Sequence, residues 1–343
     1  MKLLRIAILY SLPSERMKKT KFIETDADTV ESAEEVAEAL KKPGVETIMV
    51  PVSELDIAQT IAAIRADLIV NLIDWTGEDL PLSIDAMTAL VSSGIPYTGG
   101  DMKNFMLAGD KALMKKAFQH IGVPTPKFQV FETGDEPVDE MLQFPLIVKL
   151  AKEHCSIGLD HKAIVSDEKE LRARVKETKT TFKQTIFAEE FIDGREFQVT
   201  IYDTDEGLRV LPPAEIPFKV QGTQAFLTYD SRWEETSSDF HESTVVLADL
   251  PKHIVEEMEK IAKDVFTHLG YRDYTRLDIR MNKNNDIFVL EANCNPGLSD
   301  DDLYGMTVSY RAVGMNFSDF VIAIIRSCIR RNHLLDKYSS LLS

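Results

Sequence analysis

Apolar runs of strand length recur through the N-terminal part of the chain. They cover residues 4–10, 45–50 and 67–73. The run Leu68-Ile69-Val70 is apolar without interruption, which is typical of a strand buried on both faces of a parallel sheet. We therefore predict three buried strands, the first of which begins close to the start of the sequence.

Segments of helical spacing separate these runs. From Val30 to Leu40 apolar side chains recur three or four residues apart, and Lys42-Pro43-Gly44 ends the pattern. Asp28 stands three residues before Glu31, which predicts an N-cap at Asp28 with a reciprocal partner. A second helix is predicted over 55–64. Alternating strands and helices of this kind predict a small βαβ domain.

The remaining sequence mixes both kinds of pattern. Strands are predicted at 144–149, 185–190, 196–203, 209–216, 275–281 and 286–292, and helices at 110–118, 251–268 and 317–331. Pro251 and Gly270 lie just inside the start and just past the end of the second of these helices. We predict three domains, 1–100, 101–187 and 188–343.

Charge and cysteine content narrow the functional classes. The formal net charge of −17 argues against nonspecific nucleic-acid binding, which depends on neutralising phosphates with Lys and Arg. No apolar run is long enough to span a bilayer, and we interpret the first ten residues as a strand and not as a signal peptide. Three widely spaced cysteines favour a reducing cytoplasm.

The strongest chemical signal is a predicted hairpin. Arg276 and Asp278 point to one face of its first strand, and Glu291 and Asn293 share a face of the second. Because adjacent strands lie about 5 Å apart, all four side chains can converge. Two carboxylates and an amide oxygen form a site that suits magnesium. The alternative is an ordinary surface salt bridge, and the following Asn-Pro-Gly297 turn, which offers N–H groups to an anion, argues against it.

These residues resemble a known family. Glu291-Ala-Asn-Cys-Asn-Pro-Gly-Leu-Ser, preceded by Arg276-Leu-Asp278, is similar to the metal-binding end of D-alanine–D-alanine ligase-like ATP-grasp enzymes. Five further segments resemble family motifs in the same order: Gly77-Glu78-Asp79, Ile95-Pro-Tyr-Thr-Gly99, the lysines of Asp110-Lys111 and Val148-Lys149, Glu189-Glu-Phe-Ile-Asp-Gly-Arg-Glu196, and the lid Tyr229-Asp-Ser-Arg-Trp233.

The resemblance, which covers nearly the whole chain, implies fold and chemistry together. The fold would be α/β, with α+β character in the ATP-binding part: an ATP-grasp fold preceded by an N-terminal βαβ pre-ATP-grasp domain. The reaction would use ATP and one or two Mg²⁺ ions, with Mn²⁺ as an alternative, to join a small-molecule carboxylate to an amine through an acyl-phosphate. Neither nucleic acid nor membrane is an expected partner, and relatives are often homodimers.

The resemblance also implies roles for individual residues. The nucleotide would be bound by Lys111, Lys149, Glu189, Glu190, Ile192 and Glu196. The metal would be held by Asp278, Glu291 and Asn293. The catalytic residues would be Arg276, Ser156, Arg232 and Glu78. Among these, the two lysines would bind phosphates, Glu189 and Glu196 would accept hydrogen bonds from adenine and ribose, and Arg276 would stabilise the oxyanion.

The sequence departs from the family in the turn that covers the phosphates. The family has Glu-Gly-Ser-Ser-hydrophobe-Gly, whereas this chain has Glu153-His-Cys-Ser-Ile-Gly158. Glycine lets a backbone approach phosphate closely, and histidine does so less easily. Either the turn is remodelled or His154 adds a contact of its own. The family's lid lysine appears as Arg232, which keeps the charge and can bind phosphate bidentately.

The acceptor side departs further. The family's serine near the second substrate's carboxylate is replaced by Asp302, and a carboxylate repels a carboxylate. Asp302 either belongs to a solvated loop or lines the site, and the second case favours an acceptor that is cationic or lacks a carboxylate. The family's Gly-Gly-x-Ser-x-Glu motif is replaced by Tyr10-Ser-Leu-Pro-Ser-Glu-Arg16.

Four functions follow from these observations. The first is a ligase that acts on an amino acid or small peptide, and the second is a true D-alanine–D-alanine ligase of peptidoglycan synthesis with unusual pocket residues. The third is a nucleotide-binding protein that has lost ligation. The fourth is a phosphoryl transferase that stops at a phosphorylated product.

Overall fold

Three β-sheets organise the chain in the computed structural model, which describes residues 3–234, 236–237, 240 and 244–338. The strands are β1 (Leu4–Ser11), β2 (Val45–Val52), β3 (Leu68–Leu72), β4 (Phe128–Phe131), β5 (Leu146–Leu150), β6 (Ile164–Val165), β7 (Ile186–Glu190), β8 (Gly194–Thr204), β9 (Gly207–Val210), β10 (Ala214–Ile216), β11 (Val246–Leu247), β12 (Tyr274–Asn282) and β13 (Ile287–Asn293). The helices are α1 (Glu24–Ala39), α2 (Ile57–Ala63), α3 (Leu80–Ser93), α4 (Met102–Ala108), α5 (Lys111–His120), α6 (Glu168–Phe182), α7 (Tyr229–Trp233), α8 (Lys252–His268), α9 (Gly305–Ala312), α10 (Phe317–Arg331) and α11 (Leu335–Tyr338).

The first sheet has the predicted βαβ organisation. Its order is β2-β1-β3, and both pairings are parallel. Every residue of β3 is buried, as the uninterrupted apolar run predicted. Helices α1 and α2 provide the two crossovers that parallel strands require.

The predicted start of α1 is wrong. The helix begins at Glu24, before the predicted N-cap Asp28, which therefore lies within the helix. The hydroxyl of Tyr304 donates to Asp28 Oδ1 at 2.8 Å, so this carboxylate has a distant partner in place of the N-terminal N–H groups. A local capping pattern cannot reveal a partner so far along the sequence.

The second sheet has the order β4-β7-β5-β6, and all of its pairings are antiparallel. Its central strands, β5 and β7, correspond to the predicted runs 144–149 and 185–190. Helix α6 packs against this sheet through buried residues that include Leu171 and Val175. Strand β7 spans the boundary that we predicted between 187 and 188.

The third sheet has the order β11-β10-β8-β12-β13, with β9 also paired to β8. The single strand predicted over 209–216 is wrong, because β9 ends at Val210 and β10 begins at Ala214. Pro212 and Pro213 separate them, and proline has no N–H to continue a strand ladder. The predicted hairpin is present as β12 and β13.

The predicted helix over 317–331 is confirmed as α10. It joins the first sheet to the rest of the molecule, because Phe320, Ile324 and Ile325 pack in one cluster with Ile6 and Val70. Among the described residues, no single helix is long and apolar enough to cross a membrane, although the bent pair α9 and α10 passes that test together by length and composition alone.

Candidate active site

The hairpin side chains converge as predicted. On β12 and β13, Arg276 stands opposite Asn293, and Asp278 stands opposite Glu291. Arg276 donates through Nε and Nη2 to the two oxygens of Asp278, at 2.8 and 2.9 Å. Asn293 Nδ2 lies 3.4 Å from Asp278 Oδ2. The Arg276 and Asp278 side chains are each 13 % exposed, so this is not a surface salt bridge.

The two carboxylates of this cluster are electrostatically coupled. Burial raises the pKa of Asp278. The positive charge of Arg276 opposes this rise, and the negative charge of Glu291 adds to it. Burial alone would also raise the pKa of Glu291, but Lys111, Lys149 and Arg276 outweigh it and lower that pKa to about 2. A divalent cation relieves such repulsion, because it supplies positive charge between the carboxylates.

The donor set fits a magnesium ion. Within the described part of the chain, no group of three or more His, Cys, Asp or Glu side chains is arranged to hold a metal. The set here is smaller: the carboxylates of Asp278 and Glu291 and the amide oxygen of Asn293. Magnesium commonly takes one or two carboxylates and completes its octahedron with water and substrate phosphates.

Two lysines share one buried carboxylate beside this cluster. Glu189 is 1 % exposed. Its Oε1 lies 2.6 Å from Lys149 Nζ, and its Oε2 lies 2.6 Å from Lys115 Nζ. Burial alone would raise the pKa of Glu189, but the two ammonium groups lower it to about 2. Lys111, the other predicted phosphate ligand, donates to the Glu153 carbonyl and lies 3.7 Å from Glu291 Oε2.

The turn that departs from the family, residues 153–158, is here called the phosphate turn. Its left-handed residues are Cys155, with φ 49°, Ser156, with φ 59°, and Gly158, with φ 77°. His154, which replaces the family's glycine, has no positive φ, so this substitution imposes no left-handed strain. The His154 ring lies 3.7 Å from Asp74 Oδ2. His154 therefore has a contact of its own, which is the second of the two alternatives for this turn.

Residues 225–233, here called the lid segment, are bound to the phosphate turn and to the residue after it. Ser156 Oγ donates to the Leu227 carbonyl at 3.2 Å, and Trp233 Nε1 donates to the Cys155 carbonyl at 3.2 Å. A third bond runs from Tyr229 N to the Leu159 carbonyl at 3.0 Å. The lid segment is thus closed over the turn in this structure.

Most of the predicted residues line one cavity between the second and third sheets, here called the inner cavity. It is lined by Lys111, Lys149, Ser156, Glu189, Glu190, Ile192, Glu196, Arg232, Asp278 and Glu291. Phe226 and Leu227 of the lid segment also line it. Lysine and arginine side chains, carboxylates and the lid segment therefore face one space.

A second cavity, here called the acidic cavity, adjoins the first. It is lined by Asp28, Asp74, Arg276, Asn293 and Tyr304, among others. Burial raises the pKa of both Asp28 and Asp74. The two cavities meet at His154, Cys155, Arg232 and Glu291, which line both. A group held in the acidic cavity would therefore lie next to one held in the inner cavity.

Two residues named from the sequence lie elsewhere. Glu78 is 48 % exposed and lies 3.5 Å from Arg16, and it is absent from the described linings of both cavities. Asp302 is 72 % exposed and forms an ion pair with Arg311, so it belongs to a solvated loop. In the Glu78 loop it is Gly77 that reaches the phosphate turn: a Cβ there would lie 2.1 Å from Glu153 Oε1.

The sequence analysis missed five residues of these cavities. Lys115 lies one helical turn after Lys111, and Arg280 follows Asp278 on the same face of β12, so periodicity could have revealed both. Asp28, Asp74 and Tyr304 gave no such signal, because only tertiary folding brings them to the cavity.

The comparisons with known proteins agree with this geometry. The family model described as "D-ala D-ala ligase C-terminus" matches residues 117–326, more than half of the chain. A D-alanine–D-alanine ligase from Desulforudis audaxviator is 31 % identical over 304 residues, covering 87 % of this chain and 92 % of that protein. The chain belongs to the D-alanine–D-alanine ligase family.

Further similarities within this family extend over nearly the full length. The D-alanine–D-alanine ligase of Bordetella avium is 29 % identical over 84 % of this chain and 86 % of its own. The crystal structure of the Bacillus anthracis ligase matches with a TM-score of 0.74 at 22 % identity, covering 96 % of this chain and 99 % of that one. The same ligase complexed with ATP gives a TM-score of 0.71.

Family membership confirms the expected fold and enzyme class. The fold is ATP-grasp, and the chain is an ADP-forming ligase that uses ATP to make an amide bond. The sequence resemblance had implied both. The substrates, the metal and the roles of individual residues are separate questions.

Proposed function

We propose that the enzyme activates the carboxylate of an amino acid or small peptide with MgATP and joins it to an amine through an acyl-phosphate. The observation that carries this proposal is the meeting of the two cavities at Arg232 and Glu291. One cavity has the charges that bind a nucleotide triphosphate, and the other has carboxylates that bind an ammonium group.

ATP would occupy the inner cavity. Lys111 and Lys149 would bind its phosphates as point charges. The backbone of 190–192 would contact the adenine, and Glu196 would accept hydrogen bonds from the ribose hydroxyls. Because both oxygens of Glu189 are already bound by lysines, its role is to hold Lys149 in place and not to contact the adenine directly.

Asp278, Glu291 and Asn293 would hold one or two Mg²⁺ ions, and Mn²⁺ has the same preference for oxygen ligands. When bound, such an ion neutralises charge on the nucleotide's phosphates. Arg276 orients Asp278 through its two hydrogen bonds and opposes the rise in its pKa that burial causes.

Ligation takes two steps. A substrate carboxylate oxygen attacks the γ-phosphorus of ATP, which releases ADP and leaves an acyl-phosphate, while Arg232 balances the charge on the transferring group. The amine nitrogen then attacks the acyl carbon, Arg276 stabilises the oxyanion, and phosphate leaves as the nitrogen loses its proton. Ser156 helps to hold the lid segment closed, which keeps water from the acyl-phosphate.

The acidic cavity supports an amino-acid substrate. Tyr304 donates to Asp28 Oδ1 at 2.8 Å, and the carboxylate can accept further hydrogen bonds from a group in the cavity that it lines. Asp74 lines the same space. A substrate ammonium group would lie between these carboxylates with its own carboxylate directed at Arg276.

A true D-alanine–D-alanine ligase is the second candidate. The relatives named above carry that name. In addition, Asp302 forms an ion pair with Arg311, so its charge would not repel the carboxylate of a second amino acid. This removes the main objection that the sequence raised. Two other candidates were a nucleotide-binding protein that has lost ligation and a phosphoryl transferase that stops at a phosphorylated product. The intact cluster around Asp278 favours neither of them.

The organisation around this chemistry is part of the proposal. We propose the division predicted from the sequence, 1–100, 101–187 and 188–343, with the second boundary moved to the end of β7 so that the second sheet stays in one part. All three cysteines are free thiols, which favours a cytoplasmic location. A homodimer is the assembly that family membership favours.

The deciding experiment measures ADP release from MgATP with pooled D- and L-amino acids, followed by mass spectrometry of the products. We expect amino-acid-dependent ADP release and a new amide, and Asp278→Ala should abolish both. The dipeptide from D-alanine alone would establish the second candidate. ATP turnover that no pool stimulates, with no amide formed, would overturn the proposal.

A further inference from the structure

A buried guanidinium stands at the ribose end of the inner cavity. Arg280 is 3 % exposed and lies on β12 directly opposite Glu196 on β8. Its Nη1 is 3.4 Å from Glu196 Oε2. Removing a cation from water is costly, so a buried arginine needs partners that offset its lost hydration.

The partners of Arg280 come from three separate parts of the fold. Its Nη2 donates to the Gly194 carbonyl at 3.1 Å, where β8 begins, and to the Ala225 carbonyl of the lid segment at 2.7 Å. Its guanidinium lies 4.7 Å from the ring centroid of Phe191. One side chain thus connects the lid, the strand that carries Glu196 and the segment proposed to contact adenine.

Glu196 needs such a partner. On the same face of the sheet, Asp278 adds a second carboxylate, and like charges repel. The planar guanidinium of Arg280 provides a fixed counter-charge, and its remaining bonds to two backbone carbonyls prevent it from rotating away. The Glu196 carboxylate therefore lines the cavity with a fixed positive charge 3.4 Å away.

We propose that Arg280 is a positioning residue for the nucleotide: it aims the Glu196 carboxylate at the ribose hydroxyls and ties the lid segment to the sugar side of the cavity. This inference rests on the proposed contact between Glu196 and the ribose. Arg280 touches neither phosphate nor the transferred group, so its loss should affect nucleotide binding and leave the chemical step nearly unchanged.

The test compares ATP with 2′-deoxyATP and 3′-deoxyATP as substrates of the full-length enzyme. The wild type should prefer ATP over at least one of them by about tenfold in kcat/KM, the effect of one charge-assisted hydrogen bond. In Arg280→Met, KM for ATP should rise about tenfold with kcat within about twofold, and the preference should nearly vanish. Glu196→Gln should lose the same preference, and the double variant should lose no more.

Arg195→Met is the matched control, because Arg195 lies on the same strand as Glu196 but pairs with Glu215 near the surface. It should keep the preference for ATP. Arg280→Lys retains the charge without the planar fork and should give an intermediate preference, which protects the test if Arg280→Met folds poorly.

The outcomes separate the two proposals. If Glu196→Gln removes the ribose preference and both Arg280 variants keep it, the role of Arg280 is wrong and that of Glu196 stands. If Glu196→Gln also keeps the preference, the proposed ribose contact itself is wrong.

Discussion

Glu189 shows how strongly one residue can be constrained by charge. Its carboxylate lies between Lys115 and Lys149, and all three side chains are largely buried. Burial lowers the pKa of Lys115 to about 8, even though Glu189 opposes that change. One carboxylate thus compensates two cations, and its removal would take the nearest counter-charge from both.

We expect Glu189→Gln to lower the free energy of unfolding by about 3 kcal/mol at pH 7, since it leaves buried cations uncompensated. The folded-state pKa of about 2 lies below the unfolded value of about 4.3. The carboxylate therefore stabilises the fold above about pH 4.3, and this contribution is lost as the pH falls towards 2. Urea unfolding across this pH range measures both effects.

Glu190→Gln is the control for this variant, because Glu190 is adjacent and only half-buried, and it accepts from Gln143 N. It should change the unfolding free energy by less than about 1 kcal/mol. If Glu189→Gln lost no stability at neutral pH, the two lysines would not depend on this carboxylate.

A second residue-scale prediction concerns Asp28. If its carboxylate binds the substrate ammonium, Asp28→Asn should raise KM for the amino acid by about tenfold or more with little effect on KM for ATP. Burial raises the pKa of Asp28. Because only the ionised form attracts an ammonium group, kcat/KM for the amino acid should fall with decreasing pH at a pKa above the usual aspartate range.

Steady-state kinetics across pH 4.5–8 would show this acidic limb in the wild type and a weaker one, due to Asp74, in Asp28→Asn. Glu38→Gln is the control: Glu38 lies on the same helix and pairs with Lys41 at the surface, outside the acidic cavity. An unchanged amino-acid KM in Asp28→Asn would place the ammonium group elsewhere.

At the scale of elements, the lid segment is held by few bonds. Trp233→Phe keeps an aromatic ring but removes the donor to the Cys155 carbonyl. One neutral hydrogen bond contributes about 1 kcal/mol, so the open lid should become about fivefold more populated. Water then reaches the acyl-phosphate, and the ratio of phosphate released to amide formed should rise above that of the wild type.

Thr236→Ala is a suitable comparison, because Thr236 lies beyond α7 and its hydroxyl donates to Glu234. Its ratio of phosphate to amide should equal that of the wild type. An unchanged ratio in Trp233→Phe would show that this hydrogen bond does not control water access.

Elements governed by local pattern were predictable. Helix α10 has the predicted bounds because its apolar spacing and its capping residue Asn316 are both local. The alternation along β12 and β13 was sufficient to bring Arg276 and Asp278 together with Glu291. The start of α1 was not predicted, because the partner of Asp28 is a tertiary contact. The split between β9 and β10 was not predicted either, although Pro212 and Pro213 are its cause.

The site was predictable in part for the same reason. Motif order identified the residues of the inner cavity, and strand alternation predicted the carboxylate cluster. The acidic cavity was beyond reach, because Asp28 and Tyr304 are 276 residues apart in sequence. Asp302 was misleading, since nothing in the sequence shows that it pairs with Arg311.

At the scale of the whole molecule, Asp273 joins three parts of the chain. It is 1 % exposed and accepts from Gly99 N at 3.0 Å, Ser327 Oγ at 2.9 Å and Arg331 Nη2 at 2.9 Å. Arg331 also donates to the Tyr97 carbonyl at 2.8 Å. The segment that contains Gly99, the start of the hairpin strand β12 and helix α10 are therefore connected through one carboxylate.

Asp273→Asn should lower the free energy of unfolding by about 3 kcal/mol, because Arg331 loses its buried counter-charge. The backbone should tolerate the change, since Asp273 has φ 61° and asparagine adopts this conformation readily. Urea unfolding measures the loss. Asp300→Asn, at an exposed ion pair, should cost less than about 1 kcal/mol; equal losses would contradict the central role of Asp273.

The packing of α10 against the first sheet has a consequence for the order of events at the ribosome. Strands β1 and β3 are synthesised first, yet one of their apolar faces packs with residues of 317–331. Helix α10 cannot cover that face until most of the chain has been translated. Contacts between residues so far apart in sequence also form slowly. Before α10 emerges, α1 covers part of the face that carries Ile6, Ile8 and Val70 and the rest stays exposed, so we expect chaperones that bind apolar segments to recognise the nascent chain.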